Sequence, residues 1–497
     1  MHTSLLLDMT ADVLPDRTIL GSLDGGLCFS DLAAQVRAGG AWLKAKGGDN
    51  IVFIGVNGPA LPTILFGAGA VGMPFVPLNY RLPDVDLRKL LARTAPAVAV
   101  VDDDMLARVE GVEGVNLVSR SAFAAACADP GNHPGELPEH DADIAVLLFT
   151  SGTTGDPKAA VLRHRHLTSY VISSVEFMGS EEEEAALISV PPYHIAGISA
   201  ILTGIYGGRR LVYLDAFTPE AWVDLAVKEK ISHAMVVPTM LGRVLDVLEK
   251  RGQALPHLRA LSYGGGPMPH PVIERALQML PHVDFVNAYG LTETSSTVAV
   301  LGPEDHRIAI ASDDPVIRRR LTSVGQPLPT LELEIRGPDG EALGPGQHGE
   351  VYVRGDQVAG EYLHRKAIQD DGWFATNDGG WLDEHGYLYV EGRLDDVIVR
   401  GGENISPGEI EDVLRDHPAV MDVAVLGLPD REWGERVAAV IVANGERPST
   451  DDLAALVKSK LRSTKTPETW EFRDALPYNE TGKLLRRVLR AELTKTD

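Results

Sequence analysis

Across roughly the first three hundred residues the chain alternates short apolar runs with amphipathic segments, and nothing else in the sequence constrains its fold as tightly. Val52-Phe53-Ile54, Phe75-Val76-Pro77 and residues 98–101, 144–149, 187–190 and 234–237 read as buried strands. Helical spacing lies between them, as at 225–229 and 241–248. This alternation predicts stacked α/β layers with substantially parallel sheets. From 332 to 389 the pattern changes to short strands at 331–336, 350–354 and 387–391, separated by Gly, Pro and Asp turns. That stretch predicts an antiparallel β unit appended to the layers. After Arg393 the pattern changes once more. Residues 407–414 start a helix with Ile410, Val413 and Leu414 on one face, and 420–427 and 437–443 read as a strand pair. The expected boundary lies at 393–395, dividing a large unit, 1–393, from a small one, 394–497.

A length of 497 residues exceeds what one hydrophobic core usually serves. With 70 Asp and Glu against 46 Lys and Arg, the formal charge is −24, which disfavours nucleic acid and anionic membranes while leaving room for a local phosphate site. Two cysteines, Cys28 and Cys127, exclude a disulfide framework and a Cys-based zinc site. The N-terminus has no basic region and Asp8 interrupts its apolar run, so no secretory signal is expected. Residues 59–78 have the length of a membrane span but include Pro59, Pro62, Pro74 and Pro77, so a buried helix followed by a buried strand is predicted instead. A cytoplasmic protein with no integral membrane segment and no nucleic-acid partner is the expectation. The acidic run 181–184 reads as a solvated loop.

Two motifs lack the context they need. Residues 344–349 spell a dinucleotide-type glycine pattern but precede a strand and open no helix, so they read as a turn. His164 and His166 have no zinc-type partner set and read as surface or core residues. The informative segment is Thr150-Ser151-Gly152-Thr153-Thr154-Gly155-Asp156-Pro157-Lys158, directly after the apolar strand. Small hydroxyl residues and glycines can offer N–H and O–H groups to a polyphosphate, and Lys158 adds charge. The spacing is not that of a Walker loop.

This loop resembles the phosphate-binding signature of the adenylate-forming superfamily, which includes acyl-CoA synthetases, luciferases and peptide-synthetase adenylation domains. Further segments follow in that family's order: Pro191-Pro192-Tyr193-His194, Asn287-Ala288-Tyr289-Gly290-Leu291-Thr292-Glu293, Trp373-Phe374-Ala375-Thr376-Asn377-Asp378, Gly392-Arg393-Leu394-Asp395-Asp396, Arg400-Gly401-Gly402-Glu403-Asn404-Ile405 and Asn479-Glu480-Thr481-Gly482-Lys483. The resemblance implies a large N-terminal domain of stacked α/β sheets plus a distorted β-barrel, with a small mobile α+β C-terminal domain hinged at Asp395. It implies an AMP-forming acyl-CoA synthetase that uses ATP, Mg²⁺ and coenzyme A.

The implied roles agree with the residue chemistry. Thr150, Ser151, Gly152, Thr153, Thr154 and Lys158 would hold phosphates. Tyr289 would stack on adenine, Thr292 would bond the α-phosphate, and Glu293 would bind Mg²⁺. Asp378 and Arg393 would take the ribose. Lys483 would stabilise the charge that builds as the substrate carboxylate attacks the α-phosphorus. Rotation about Asp395 would then bring in Gly401 and Gly402, where a thin pantetheine arm passes the backbone. Trp433 and Arg81 are implied CoA contacts. His194 falls near the acyl and thiol tunnel, with a core histidine as the other reading. The pocket would be lined by 236–240, 262–268 and 289–294, including Val237, Gly264, Gly265, Gly266 and Gly290. With three successive glycines and no Lys or Arg to pair a second carboxylate, a fatty, aromatic or polycyclic apolar acid is expected.

The chain departs from the family pattern at Ala159 and Asn377, both in place of glycine. Asn377 can keep a turn that needs an unusual backbone angle, or contact the nucleotide. Among rivals, an amino-acid adenylation domain needs an acid in 191–199, which has none, and the 14 residues after Lys483 leave no carrier domain expected (497 − 483). Carrier-protein ligases tend to carry an insertion absent from this compact chain, and nothing specific points to a luciferase. A non-catalytic nucleotide sensor would not need Lys483. A homodimer is compatible with all of this.

Overall fold

The computed structural model describes residues 1–132, 134, 137, 140–150, 157–478 and 484–494. Two large, mostly parallel sheets carry the N-terminal part. In one, the strands Lys158–Arg163, Ile144–Thr150, Phe75–Pro77, Asn50–Ile54, Ala97–Val101 and Val115–Ser119 lie side by side, with Glu361–Tyr362 added beyond Lys158–Arg163. In the other, Ser296–Leu301, Asp284–Leu291, Ala260–Gly264, His233–Val236, Ala185–Ile188 and Arg210–Tyr213 are neighbours, parallel from Asp284–Leu291 onward.

A single apolar cluster joins the two sheets. It includes Phe53, Phe75 and Val98 from the first, Ile188 and Leu211 from the second, and the helices Phe29–Ala45, Ala60–Ala70 and Ile195–Gly207. Residues 61–69 are all buried, as a helix apolar on every side must be. The stretch 59–78 is thus a core helix followed by the strand Phe75–Pro77, as its prolines predicted. Among the described residues no helix is long and apolar enough to cross a membrane.

The turn-rich stretch forms an antiparallel sheet of Glu332–Arg336, Gly349–Arg354, Phe374–Leu382 and Leu388–Arg393. Beyond it the helix Pro407–Arg415 packs on the long hairpin Val420–Asp430/Gly434–Ala443, to which Thr469–Arg473 adds in parallel. The fold is therefore α/β, with a large N-terminal part and a smaller α+β C-terminal part.

One loop expectation needs correction. In the acidic run, Glu184 is not simply solvated: its carboxylate meets Arg209 and Arg259 at 3.1 Å each, because Arg210 next to Arg209 begins a strand paired with Ala185. His164 and His166 are both core residues.

Candidate active site

Parallel strands in an open α/β sheet leave a crevice beyond their carboxyl ends, where ligands bind. The second sheet delivers the predicted residues to that edge. His194 caps the helix that follows Ala185–Ile188, Val237 follows His233–Val236, Gly264 ends its strand with Gly265 and Gly266 next, and Tyr289 to Glu293 close Asp284–Leu291. His194 is desolvated, which lowers its pKa from 6.5 to about 4 and keeps the ring neutral near pH 7. Its ring lies 4.8 Å from that of Tyr193.

The end of Asp284–Leu291 has a distinctive backbone. Its ladder with Ser296–Leu301 slips between Tyr289 and Gly290. A Cβ at Gly290 would stand 1.9 Å from the Ser296 carbonyl oxygen, so only glycine passes there. The chain then makes a short helical turn, Thr292–Thr294, and leaves it through Ser295 and Ser296 at φ 55° and 117°. This turn presents the buried carboxylate of Glu293. The Glu293 carbonyl accepts from the N–H groups of Ala359 (2.8 Å) and Gly360 (2.9 Å), and the Tyr362 hydroxyl donates to Glu293 Oε1 at 2.7 Å.

The antiparallel sheet brings in the second half of the site. Asp378 and Arg393 are direct cross-strand partners. Asp378 accepts from the Tyr289 hydroxyl at 2.6 Å and pairs with Arg393 Nε at 3.2 Å, while Arg393 Nη1 donates to the Thr376 carbonyl at 2.6 Å. Burial and the adjacent Asp378 carboxylate push the Tyr289 phenol well above its ordinary range, so it remains a donor. Burial alone would lower Arg393, but Asp378 and Glu293 outweigh it and hold the guanidinium charged.

From the first sheet, Thr150 and Lys158 pair across the ends of their strands, and Lys158 Nζ lies 6.0 Å from the centre of the Tyr362 ring. Thus Tyr289, Glu293, Asp378, Arg393 and Tyr362 form one contiguous constellation, with Lys158 at its rim. The charges fit a nucleotide with a divalent cation: Glu293 supplies a hard oxygen donor, Asp378 an acceptor for hydroxyls, and Lys158 a cation for phosphate. Ser151, Gly152, Thr153, Thr154 and Lys483 lie outside the described residues.

In the C-terminal part Gly401 and Trp433 are brought together. The Gly401 N–H donates to the Trp433 carbonyl at 2.7 Å, and a Cβ on Gly401 would stand 2.8 Å from the indole. Gly401 and Gly402 have φ of 57° and 84°, in the left-handed region that glycine occupies without strain. Trp433 is exposed, with Arg400 over its ring. Arg81 belongs to the N-terminal part, where its Nε donates to the Tyr80 hydroxyl at 3.2 Å. Asn377 also has a left-handed φ, 61°, and its side-chain amide donates to Asp395 at 2.8 Å. It keeps the turn that glycine would make and reaches the expected hinge.

Sequence reasoning missed Tyr362, and it gave Thr376, inside the 373–378 motif, no role of its own. Thr376 Oγ1 accepts from the Asp378 N–H and donates to the Val351 carbonyl, fixing the Asp378 backbone. Tyr362 lies in the two-residue strand Glu361–Tyr362 and its partner Glu293 is 69 residues away, so no local signal marks it.

Comparison with known proteins gives a consistent result. Residues 7–363 match the family model of AMP-binding enzymes, and residues 409–483 match that of the AMP-binding enzyme C-terminal domain. A feruloyl-CoA synthase from Amycolatopsis sp is 32% identical over 489 residues, covering 97% of this chain and 96% of the relative. The fatty acid–[acyl-carrier-protein] ligase ScoC from Streptomyces coeruleorubidus is 33% identical over 467 residues, 90% of this chain and 88% of its own. Among solved structures, the o-succinylbenzoate CoA synthetase MenE from Bacillus subtilis, bound to its acyl-adenylate OSB-AMP, superposes with a TM-score of 0.83 at 29% identity, covering 98% of this chain and 97% of the other. The same enzyme with ATP and magnesium gives a TM-score of 0.81 at 28% identity, covering 97% and 98%.

Proposed function

This chain belongs to the AMP-binding enzyme family, and from that premise we propose that it is an ATP-dependent carboxylic acid–CoA ligase, which makes an acyl-adenylate and pyrophosphate and then an acyl-CoA and AMP. The observation that carries this reading is the convergence of Tyr289, Glu293, Asp378 and Arg393 at the carboxyl ends of the parallel strands. In this reading Tyr289 faces adenine, Asp378 and Arg393 hold the ribose, and Thr292 bonds the α-phosphate. Thr150 to Thr154 and Lys158 take the other phosphates. Glu293 would hold Mg²⁺, which supplies charge neutralisation for the polyphosphate and the departing pyrophosphate.

When the substrate carboxylate attacks the α-phosphorus, two anions approach each other. Lys483 is the group we assign to stabilise that charge. The unit from 394 onward then turns about Asp395, withdraws Lys483, and brings Gly401 and Gly402 against the pantetheine arm, with Trp433 and Arg81 on the CoA nucleotide. The thiol gives up its proton to solvent and attacks the acyl carbonyl, the C–S bond forms, and AMP leaves with the electrons of the broken acyl–oxygen bond.

The acid is a mostly apolar one, fatty, aromatic or polycyclic. Support comes from Gly264, Gly265 and Gly266 at the edge where His194 and Val237 also emerge, and from relatives that act on ferulate and on fatty acids. The test is pyrophosphate and AMP release with a panel of carboxylic acids, each with and without CoA. Turnover that requires CoA and yields an acyl-CoA supports the proposal. An adenylate that passes to a carrier protein and not to CoA replaces it with the reaction named for ScoC.

A further inference from the structure

The segment 357–363 does more than complete a sheet edge. Gln357 is buried, and its side-chain amide donates to the carbonyls of Thr294 (3.1 Å) and Thr297 (2.7 Å), spanning the two left-handed residues Ser295 and Ser296. Ala359 and Gly360 donate their N–H groups to the Glu293 carbonyl. The backbone of the Glu293 turn is therefore clamped from one side by a single short segment. The same segment then presents Tyr362, whose hydroxyl donates to Glu293 Oε1 at 2.7 Å.

Tyr362 is itself held firmly. It pairs with Ala160 in the ladder, and Leu363 N–H donates to the Ala159 carbonyl at 3.0 Å. Its neighbour Glu361 receives a two-pronged contact from Arg163, at 2.9 Å from Nε and 2.8 Å from Nη2, on the strand that begins with Lys158. The Tyr362 ring faces Lys158 Nζ at 6.0 Å, a cation–π distance. Tyr362 thus couples the strand of the phosphate loop to the Glu293 carboxylate.

We propose that Tyr362 is a positioning residue for Glu293: its hydroxyl fixes one carboxylate oxygen so that the other is offered to the divalent cation of the nucleotide. This rests on the assignment of Glu293 as the metal-binding carboxylate. A carboxylate free to rotate must lose that freedom when it binds an ion, whereas one held by an outer hydrogen bond has already lost it, and such outer partners set metal affinity. Replacing Tyr362 by Phe removes only the hydroxyl and leaves the ring, the ladder and the Arg163–Glu361 contact in place.

The test uses the full chain with ATP and Mn²⁺ as the probe cation, free Mn²⁺ being read by its paramagnetic resonance. Tyr362→Phe is expected to weaken Mn²⁺ binding about tenfold, the low end for groups that orient a metal ligand. Tyr362→Phe combined with Glu293→Gln should bind no more weakly than Glu293→Gln alone, because the hydroxyl acts through that carboxylate. In turnover, the Mg²⁺ concentration for half-maximal rate should rise while the rate at saturating Mg²⁺ recovers. Parental Mn²⁺ affinity in Tyr362→Phe, additive losses in the double variant, or a rate that no Mg²⁺ concentration restores would each overturn the proposal. Parental affinity in Glu293→Gln would instead remove Glu293 from the metal, and the role of Tyr362 with it.

Discussion

At the scale of single residues, Asp378 answers to two donors, Tyr289 from one sheet and Arg393 from its own. A hydrogen bond to a charged group contributes about 1.5–3 kcal/mol. Asp378→Asn is therefore expected to raise the KM for ATP at least about tenfold, measured at saturating acid and Mg²⁺; an unchanged KM would remove Asp378 from the nucleotide site. Lys483 is the sharper case. Lys483→Ala should lower the rate of adenylate formation by about 10²–10³, the range for loss of one charge-stabilising donor, and spare thioester formation from supplied acyl-AMP. Equal loss in both half-reactions would contradict the division of labour between them. These roles are proposed because residues of the right type stand in ordered motifs. Tyr362 was not legible: it lies 69 residues from Glu293, and the two meet through the pairing of its strand with Ala160 and the N–H groups of Ala359 and Gly360 on the Glu293 carbonyl.

Elements decide where such residues point, and two glycines show how. Gly290 lets the strand Asp284–Leu291 slip past Ser296 and turn into the Glu293 segment. An added Cβ meets a backbone oxygen there, which cannot swing aside as a side chain could. Gly290→Ala should cost about 3 kcal/mol, the upper part of the ordinary range for point mutations, seen as a lower thermal midpoint and weaker ATP binding together. Gly402 differs, since nothing lies within 4 Å of its added Cβ while its φ is 84°. Gly402→Val pays about 1–2 kcal/mol for the left-handed backbone. It should slow thioester formation and spare adenylate formation; unimpaired thioester formation would count against passage of pantetheine at that point. The alternation of strands and helices was readable because burial imposes a local period on the sequence. The slip at Gly290 was not, because the carbonyl that forbids a side chain belongs to another strand.

The whole molecule also carries a pH dependence. His164, His166 and His194 have pKa values lowered by burial from 6.5 to about 3, about 4 and about 4, and the rings of His2 and His164 lie 3.4 Å apart at their centres. The unfolded chain binds protons at these positions near pH 6.5 and the folded chain does not. Their contribution to stability is thus complete above pH 6.5 and is lost as the pH falls toward 4, each by up to about 1.4 kcal/mol per pH unit. The thermal midpoint should fall across that window, and His164→Asn should flatten the fall. A midpoint constant from pH 7 to 4.5 would mean that these histidines do not titrate on unfolding.

The sequence by itself determined the layered α/β class, the core helix at Ala60–Ala70 and the types of residue at the site, since each is written in a local period or an ordered motif. Only the tertiary structure decided that Tyr289 meets Asp378, that Tyr362 holds Glu293, that Asn377 reaches Asp395 and that Glu184 is paired. Those contacts join segments far apart in the chain. Their partners are fixed by the register between strands and the packing of one sheet on another, which no short window of sequence contains.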